Sequence, residues 1–203
     1  MQRVLSEIRI AGFGGQGVIL AATVIGKAAS IYQDAYATMT QNFGPEARGG
    51  SSSAAVVLSG EPIAYPYVTQ PDVLVVLSQE AYTRFVPELK PGGTLIVERD
   101  LVRVNGVPSG MRVFSVPATR LAEELGRKMV LNIVVVGFFG AVTALVDPDA
   151  LRRAVADSVP ESFRDLNLRA FDKGYEHGAM LVHARAEGTG DLEEWPESLE
   201  REC

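Results

Sequence analysis

A single α/β domain, a mostly parallel sheet with helices on both faces, is predicted by three features of this sequence. Strand-like and helix-like stretches alternate along nearly the whole chain, the arrangement that generates layered α/β folds. The clearest strand, Asp72 to Ser78 (DVLVVLS), is an almost unbroken apolar run, as a parallel strand covered on both faces requires. A glycine-rich turn, Gly12-Phe13-Gly14-Gly15-Gln16-Gly17, joins the first strand to the first helix. That junction makes the expected fold Rossmann-like, because such sheets place their ligand crevice there.

Each element has its own signal. Polar and apolar residues alternate around Glu7 and Arg9 up to Ala11, which marks the first strand. Val18 to Ile31 is apolar and small-residue rich and reads as a helix. Tyr36 to Gln41 is a short second strand, followed by the loop NFGPEARGG and the strand-like SSSAAVVLSG. Gln79 to Leu89 is the helix after the central strand, and Pro91-Gly92-Gly93 punctuates the chain before the strand Thr94 to Glu98. Arg112 to Val116 is another strand, and Pro117 to Leu125 a helix with proline in its first turn. Ile133 to Val146 is continuously apolar apart from Thr143, but fourteen residues fall short of the about 20 that span a bilayer. A buried helix is expected. Asp147 caps, and Pro148 opens, a helix through Ser158, and Pro160 begins a last helical stretch to about Ala184. Residues 1–186 are read as the folded domain and 187–203 as an acidic flexible tail anchored only by Trp195.

Composition removes several functions. Seven acids and one base lie between Glu187 and Cys203, so that stretch carries the whole net charge of −6, and eighteen acids and eighteen bases cancel in the rest. A neutral body lacks the basic face that nucleic acid requires. Cys203 is the only cysteine, whereas a disulfide needs two and an ordinary iron-sulfur cluster four. The two histidines, His177 and His183, have no zinc-site spacing around them. His177, near Asp172 and Glu176, is expected on a solvated helix face. MQRVLSEIRIAG has no apolar signal core. The chain reads as cytoplasmic, with neither nucleic acid nor membrane as a partner.

Gly12, Gly14 and Gly17 match G-x-G-x-x-G. Glycines there permit the tight turn and remove side chains that block a phosphate, while the helix amides supply donors and a positive dipole end. Such a turn serves either an anion site or tight strand-to-helix packing. The acidic residue that holds nicotinamide-cofactor riboses, about 20 positions on, is missing, since the second strand ends in Thr40-Gln41. The second glycine-rich stretch, Gly44 to Ser53, brings Arg48, Gly49, Gly50 and Ser51 together. A guanidinium grips phosphate through two parallel hydrogen bonds, and the alternative is a surface turn in which Glu46 and Arg48 are solvated. Asn132 interrupts an apolar run. It either orients a ligand or makes a core or helix-end hydrogen bond. The serines lack a nucleophile-elbow context, and no self-contained catalytic constellation is present.

GFGGQGVILAATVIGKAA, TQNFGPEARGGSSSAAVVLS, PDVLVVLSQEAYTRF and LKPGGTLIVE together resemble the gamma subunit of 2-oxoacid:ferredoxin oxidoreductases, more particularly the 2-oxoglutarate type. The resemblance spans roughly residues 7–180. It implies one chain of a hetero-oligomer that oxidatively decarboxylates a 2-oxoacid, transfers the acyl group to coenzyme A and passes electrons to ferredoxin. Alpha, beta and ferredoxin-like delta chains are the implied partners, and thiamine diphosphate, Mg and iron-sulfur clusters are expected on them. Gly12, Gly14, Gly15, Gln16, Gly17, Arg48, Gly49, Gly50 and Ser51, with Asn132, are the implied contacts to coenzyme A or a neighbouring chain. A stand-alone nucleotide-binding or regulatory protein, and a scaffold of the same complex without a ligand, are the alternatives.

Overall fold

The computed structural model describes residues 5–43, 50–105 and 110–187. Six strands form one sheet: β1 (Ser6–Phe13), β2 (Tyr36–Phe43), β3 (Ser51–Ser59), β4 (Val73–Val76), β5 (Thr94–Glu98) and β6 (Arg112–Val116), in the order β2-β3-β1-β4-β5-β6. The pairs β1-β4, β4-β5 and β5-β6 are parallel. β3 alone runs against its neighbours, pairing Phe13 with Ser51 on one side and Phe43 with Ser52 on the other. β2 and β3 are therefore a hairpin. The serines Ser51 to Ser53 belong to a strand, their backbone paired with Phe13 to Ala11 of β1 and, at Ser52 and Ser53, with Phe43 and Asn42 of β2.

Among the described residues the α-helices are α1 (Val18–Tyr32), α2 (Gln79–Phe85), α3 (Ala118–Glu124), α4 (Leu131–Thr143), α5 (Pro148–Ala156) and α6 (Arg164–Ala186). Helices cover both faces, but unequally. One face carries α1, α3, α4, α5 and α6 over Ile8, Ile10, Val56, Val75, Ile96 and Val116. Among the described residues the other carries α2 and its following turn, packed on Leu74, Val76, Leu95 and Val97, with Ile63 and Val68 covering Ala55 and Val57. α2 stops at Phe85 and continues as a 3-10 turn over Val86–Glu88, because Pro87 cannot donate to an α-helical ladder.

α4 is buried along most of its length. Its glycines let α6 approach to backbone contact: a Cβ at Gly137 would overlap the Phe171 carbonyl, and one at Gly174 the Val134 carbonyl. His177 lies in this interface, its ring 5.9 Å from that of Phe138, which corrects the expectation of a solvated face. Asp147 caps α5 as expected, its carboxylate accepting from the amides of Asp149 and Ala150. No helix among the described residues is long and apolar enough to cross a membrane.

Candidate functional site

The carboxyl ends of β1, β2, β4 and β5 meet the start of β3 along one edge of the sheet. From there α1 leaves to one face and α2 to the other, so the gap between β1 and β4 is a topological switch point, where open α/β sheets bind ligands. Gln16 fills much of this gap. Its Oε1 accepts from the Phe13 amide at 2.7 Å, and its Nε2 donates to the Leu77 carbonyl at 2.9 Å, lacing the two strand ends together. Gly12 makes the room, since a Cβ there would overlap Gln16 Oε1 and lie 3.0 Å from Leu77 Cβ.

The Gly14 amide donates to the Gly50 carbonyl at 2.8 Å and the Gln16 amide to Phe13 at 3.1 Å. Three amides of the turn thus serve the protein itself. Gly15 (φ +96°) and Gly17 (φ +72°) are left-handed, a conformation costly for other residues. A Cβ at Gly15 would meet nothing within 4 Å, so open space lies beside it. No side chain caps α1 at Gly17, and the first amides of a helix lack intrahelical acceptors. The donors left for a ligand are Gly15, Gly17 and the first turn of α1.

Asn132 is buried at the start of α4 and its Nδ2 donates to the Gly17 carbonyl at 3.3 Å. It acts as a helix-end contact that holds the turn. Of the second glycine-rich stretch, Gly50 and Ser51 lie beside Gly14 and Phe13, while Arg48 and Gly49 lie outside the described residues. The structure therefore brings Gly12 to Gly17, Gly50, Ser51 and Asn132 to one place.

Two adjoining clefts open on the α2 face beside this turn. The first, of about 170 Å³, is walled by Gly12, Asn42, Ser51, Ser53, Glu80 and Arg84. The second, of about 260 Å³, is walled by Arg9, Gln41, Ser53, Tyr67, Arg84 and Glu88. Asn42, Ser53, Arg84 and Phe85 line both. Arg9 is largely buried, bound by Nη1 to Glu88 at 2.7 Å and by Nη2 to the Val68 carbonyl at 2.5 Å. Burial lowers its pKa, Glu88 opposes this, and the charge of Arg84 adds to the lowering. Sequence reasoning missed Arg84 and Asn42, and it reached Ser53 only as the end of the second glycine-rich stretch. The signal for Arg84 was its place on the helix leaving the central strand, opposite the glycine turn.

Three polar anchors hold this edge. Glu98 is fully buried, and its carboxylate accepts from the amides of Asp100, Leu101 and Thr119 at 2.7 to 2.9 Å, pinning β5 to the start of α3. Ser78 Oγ caps α2 through the Ala81 amide. Tyr82 Oη bonds both backbone groups of Asn105, and burial raises its pKa against the opposing Asn105 bond. These contacts position; none activates a nucleophile. The cleft serines have no imidazole beside them, because both histidines ride on α6 across the sheet. Among the described residues no group of His, Cys, Asp and Glu can hold a metal ion. What the edge offers chemically is hydrogen bonding and charge for a polar ligand.

The sequence profile of the pyruvate ferredoxin/flavodoxin oxidoreductase family matches residues 7–177. The 2-oxoglutarate synthase subunit KorC of Methanocaldococcus jannaschii is 44% identical over 176 residues, covering 86% of this chain and 94% of that protein. The crystal structure of the gamma subunit of a keto/oxoacid ferredoxin oxidoreductase from Geobacter sulfurreducens superposes with a TM-score of 0.77 at 39% identity, over 86% of this chain and 99% of that one. A 2-oxoglutarate:ferredoxin oxidoreductase from Magnetococcus marinus, solved with 2-oxoglutarate, coenzyme A and succinyl-CoA bound, shares the fold at a TM-score of 0.77 and 24% identity. That likeness covers 89% of this chain and 32% of the larger one.

Proposed function

Because the chain belongs to the pyruvate ferredoxin/flavodoxin oxidoreductase family, as a gamma subunit of an oxidoreductase complex, we propose that it holds coenzyme A for a 2-oxoglutarate:ferredoxin oxidoreductase. Alpha and beta chains, with a ferredoxin-like delta chain, are its proposed partners in the cytoplasm. They would carry thiamine diphosphate, Mg and the iron-sulfur clusters. The naming of the KorC relative and the ligands captured in the Magnetococcus enzyme support this choice of substrate and co-substrate.

The observation that carries the reading is a double cleft of mixed lining, with Asn42, Ser53 and Arg84 set beside Phe85, that abuts the glycine turn and shows no catalytic pair among the described residues. It fits the coenzyme. Gly15 leaves backbone accessible to a diphosphate, the start of α1 adds donors, and Asn42, Ser51 and Ser53 offer amide and hydroxyl groups along the cleft. Coenzyme A supplies the thiol that takes the acyl group. The protein's part is positioning: fixing the nucleotide end makes arrival of that thiol at a partner's active site effectively intramolecular. The internal engagement of Phe13, Gly14 and Gln16 amides favours a second reading, a scaffold whose turn is only a packing device.

Ser53→Leu separates the two, since position 53 lines both clefts and leucine fills them. In the assembled complex, calorimetric affinity for coenzyme A is expected to fall about tenfold or more, with single-turnover reduction by 2-oxoglutarate alone retained. Unchanged affinity would reject the coenzyme role and leave the scaffold.

A further inference from the structure

The two clefts differ in charge, and this deepens the coenzyme A reading on which it rests. In the first cleft Glu80 offsets Arg84. The second has two guanidiniums, Arg9 and Arg84, against the one carboxylate of Glu88, leaving a positive excess. Glu88 is already spent on Arg9, 2.7 Å from its Nη1. Arg84 forms no ion pair with any described residue; its guanidinium stands 5.0 Å from the centroid of the Phe85 ring, with that of Arg9 4.8 Å from the same ring. Two like charges around one apolar ring repel, and an anion bound between them relieves that repulsion. An arginine stacked on an aromatic ring presents its donor fork in a fixed plane, matched to phosphate oxygens.

The same cleft has an aromatic wall. Tyr67 is exposed and set edge-on to Tyr65, their ring centroids 5.5 Å apart. Thr40, Gln41 and Asn42 of the edge strand supply hydroxyl and amide groups across from it. A cation that seeks a phosphate, an aromatic face and amide side chains are what a phosphorylated adenosine needs. Coenzyme A carries such a group at the end remote from its thiol, distinguished from ATP, ADP and dephospho-coenzyme A by a 3′-phosphate monoester. We propose that the second cleft is the subsite for the 3′-phosphoadenosine end of coenzyme A, and that Arg84 is the residue that reads the 3′-phosphate. The diphosphate then lies nearer the glycine turn, and the pantetheine arm leads away towards the partner chain.

The test is calorimetry on the assembled complex with coenzyme A, dephospho-coenzyme A and adenosine 3′,5′-bisphosphate, for wild type, R84Q and R84K. Wild type is expected to prefer coenzyme A over its dephospho form by about tenfold or more, the scale of one charge-assisted contact. R84Q should abolish that preference by weakening coenzyme A and the bisphosphate while leaving the dephospho form unmoved, and R84K should restore part of it. A preference that survives R84Q, its absence in wild type, or an equal loss for both coenzymes would each overturn the assignment. Ser53→Leu distinguishes the failures: if it weakens both coenzymes and R84Q leaves their ratio alone, only the Arg84 assignment falls. If Ser53→Leu weakens neither, the coenzyme A reading falls with it.

Discussion

Gly12→Ala tests whether the glycine turn is held by Gln16. The new Cβ would occupy the place of Gln16 Oε1 and lie 3.0 Å from Leu77 Cβ, so the flexible amide must swing out. Two hydrogen bonds go with it, Phe13 N–H to Oε1 and Nε2–H to the Leu77 carbonyl. At about 1 kcal/mol each the loss is about 2 kcal/mol, or roughly 4–8 °C in Tm for a domain of this size. Gln16→Ala removes the same bonds without the clash and should cost a similar amount. The assay is a double-mutant cycle by urea unfolding of the full chain. Because both changes destroy one set of contacts, Gly12→Ala in a Gln16→Ala background should cost little more, giving a coupling of about 2 kcal/mol. Additivity within roughly 0.5 kcal/mol would refute the reasoning and leave the contact of the new Cβ with Leu77 as the cost of Gly12→Ala.

Gly174→Ala should destabilise by about 3 kcal/mol, the upper part of the range for overpacking, because its Cβ meets the Val134 carbonyl, backbone that cannot rotate away; thermal unfolding measures this, and a loss below 1 kcal/mol would contradict it. At the opposite edge of the sheet, Lys90 Nζ binds Glu7 at 2.7 Å and Asp72 at 2.9 Å. Burial alone would lower its pKa, but the hydrogen bonds to Glu7 and Asp72 outweigh this and raise it. A cation whose pKa rises on folding stabilises fully below its ordinary value and stops doing so as pH climbs through the raised one. The stability gap between wild type and Lys90→Gln should therefore stay level from pH 7 to 9 and shrink above the ordinary 10.5; a gap that widened there would contradict the pairing.

Much of this architecture was legible because local signals agreed with the tertiary result. The run DVLVVLS, the Asp147-Pro148 cap and the glycine junction appear where periodicity and capping chemistry put them. The reversal of β3 was not legible, because strand propensity carries no direction and the hairpin is decided by pairing on both sides. His177 misled because Asp172 and Glu176 suggest a wet face, whereas Gly174 and Gly178 draw that face against α4. Gln16 stands in the glycine turn that the sequence singles out, but its inward fold depends on the Leu77 carbonyl, 61 residues away. Arg84 is legible only as a residue of the helix after the central strand, since it is the sheet order that sets α2 over β1 and across the cleft from Ser51 and Ser53 of β3.

Amide hydrogen exchange of the assembled complex, with and without coenzyme A, tests the positioning role most directly. Binding should slow exchange in the Gly15 to Leu20 amides, around Asn42 and Ser51 to Ser53, and on α2 near Arg84, while the amino edge around Lys90 and Gly93 stays unchanged. Protection confined to other subunits, with this edge exchanging at its free rate, would contradict the account.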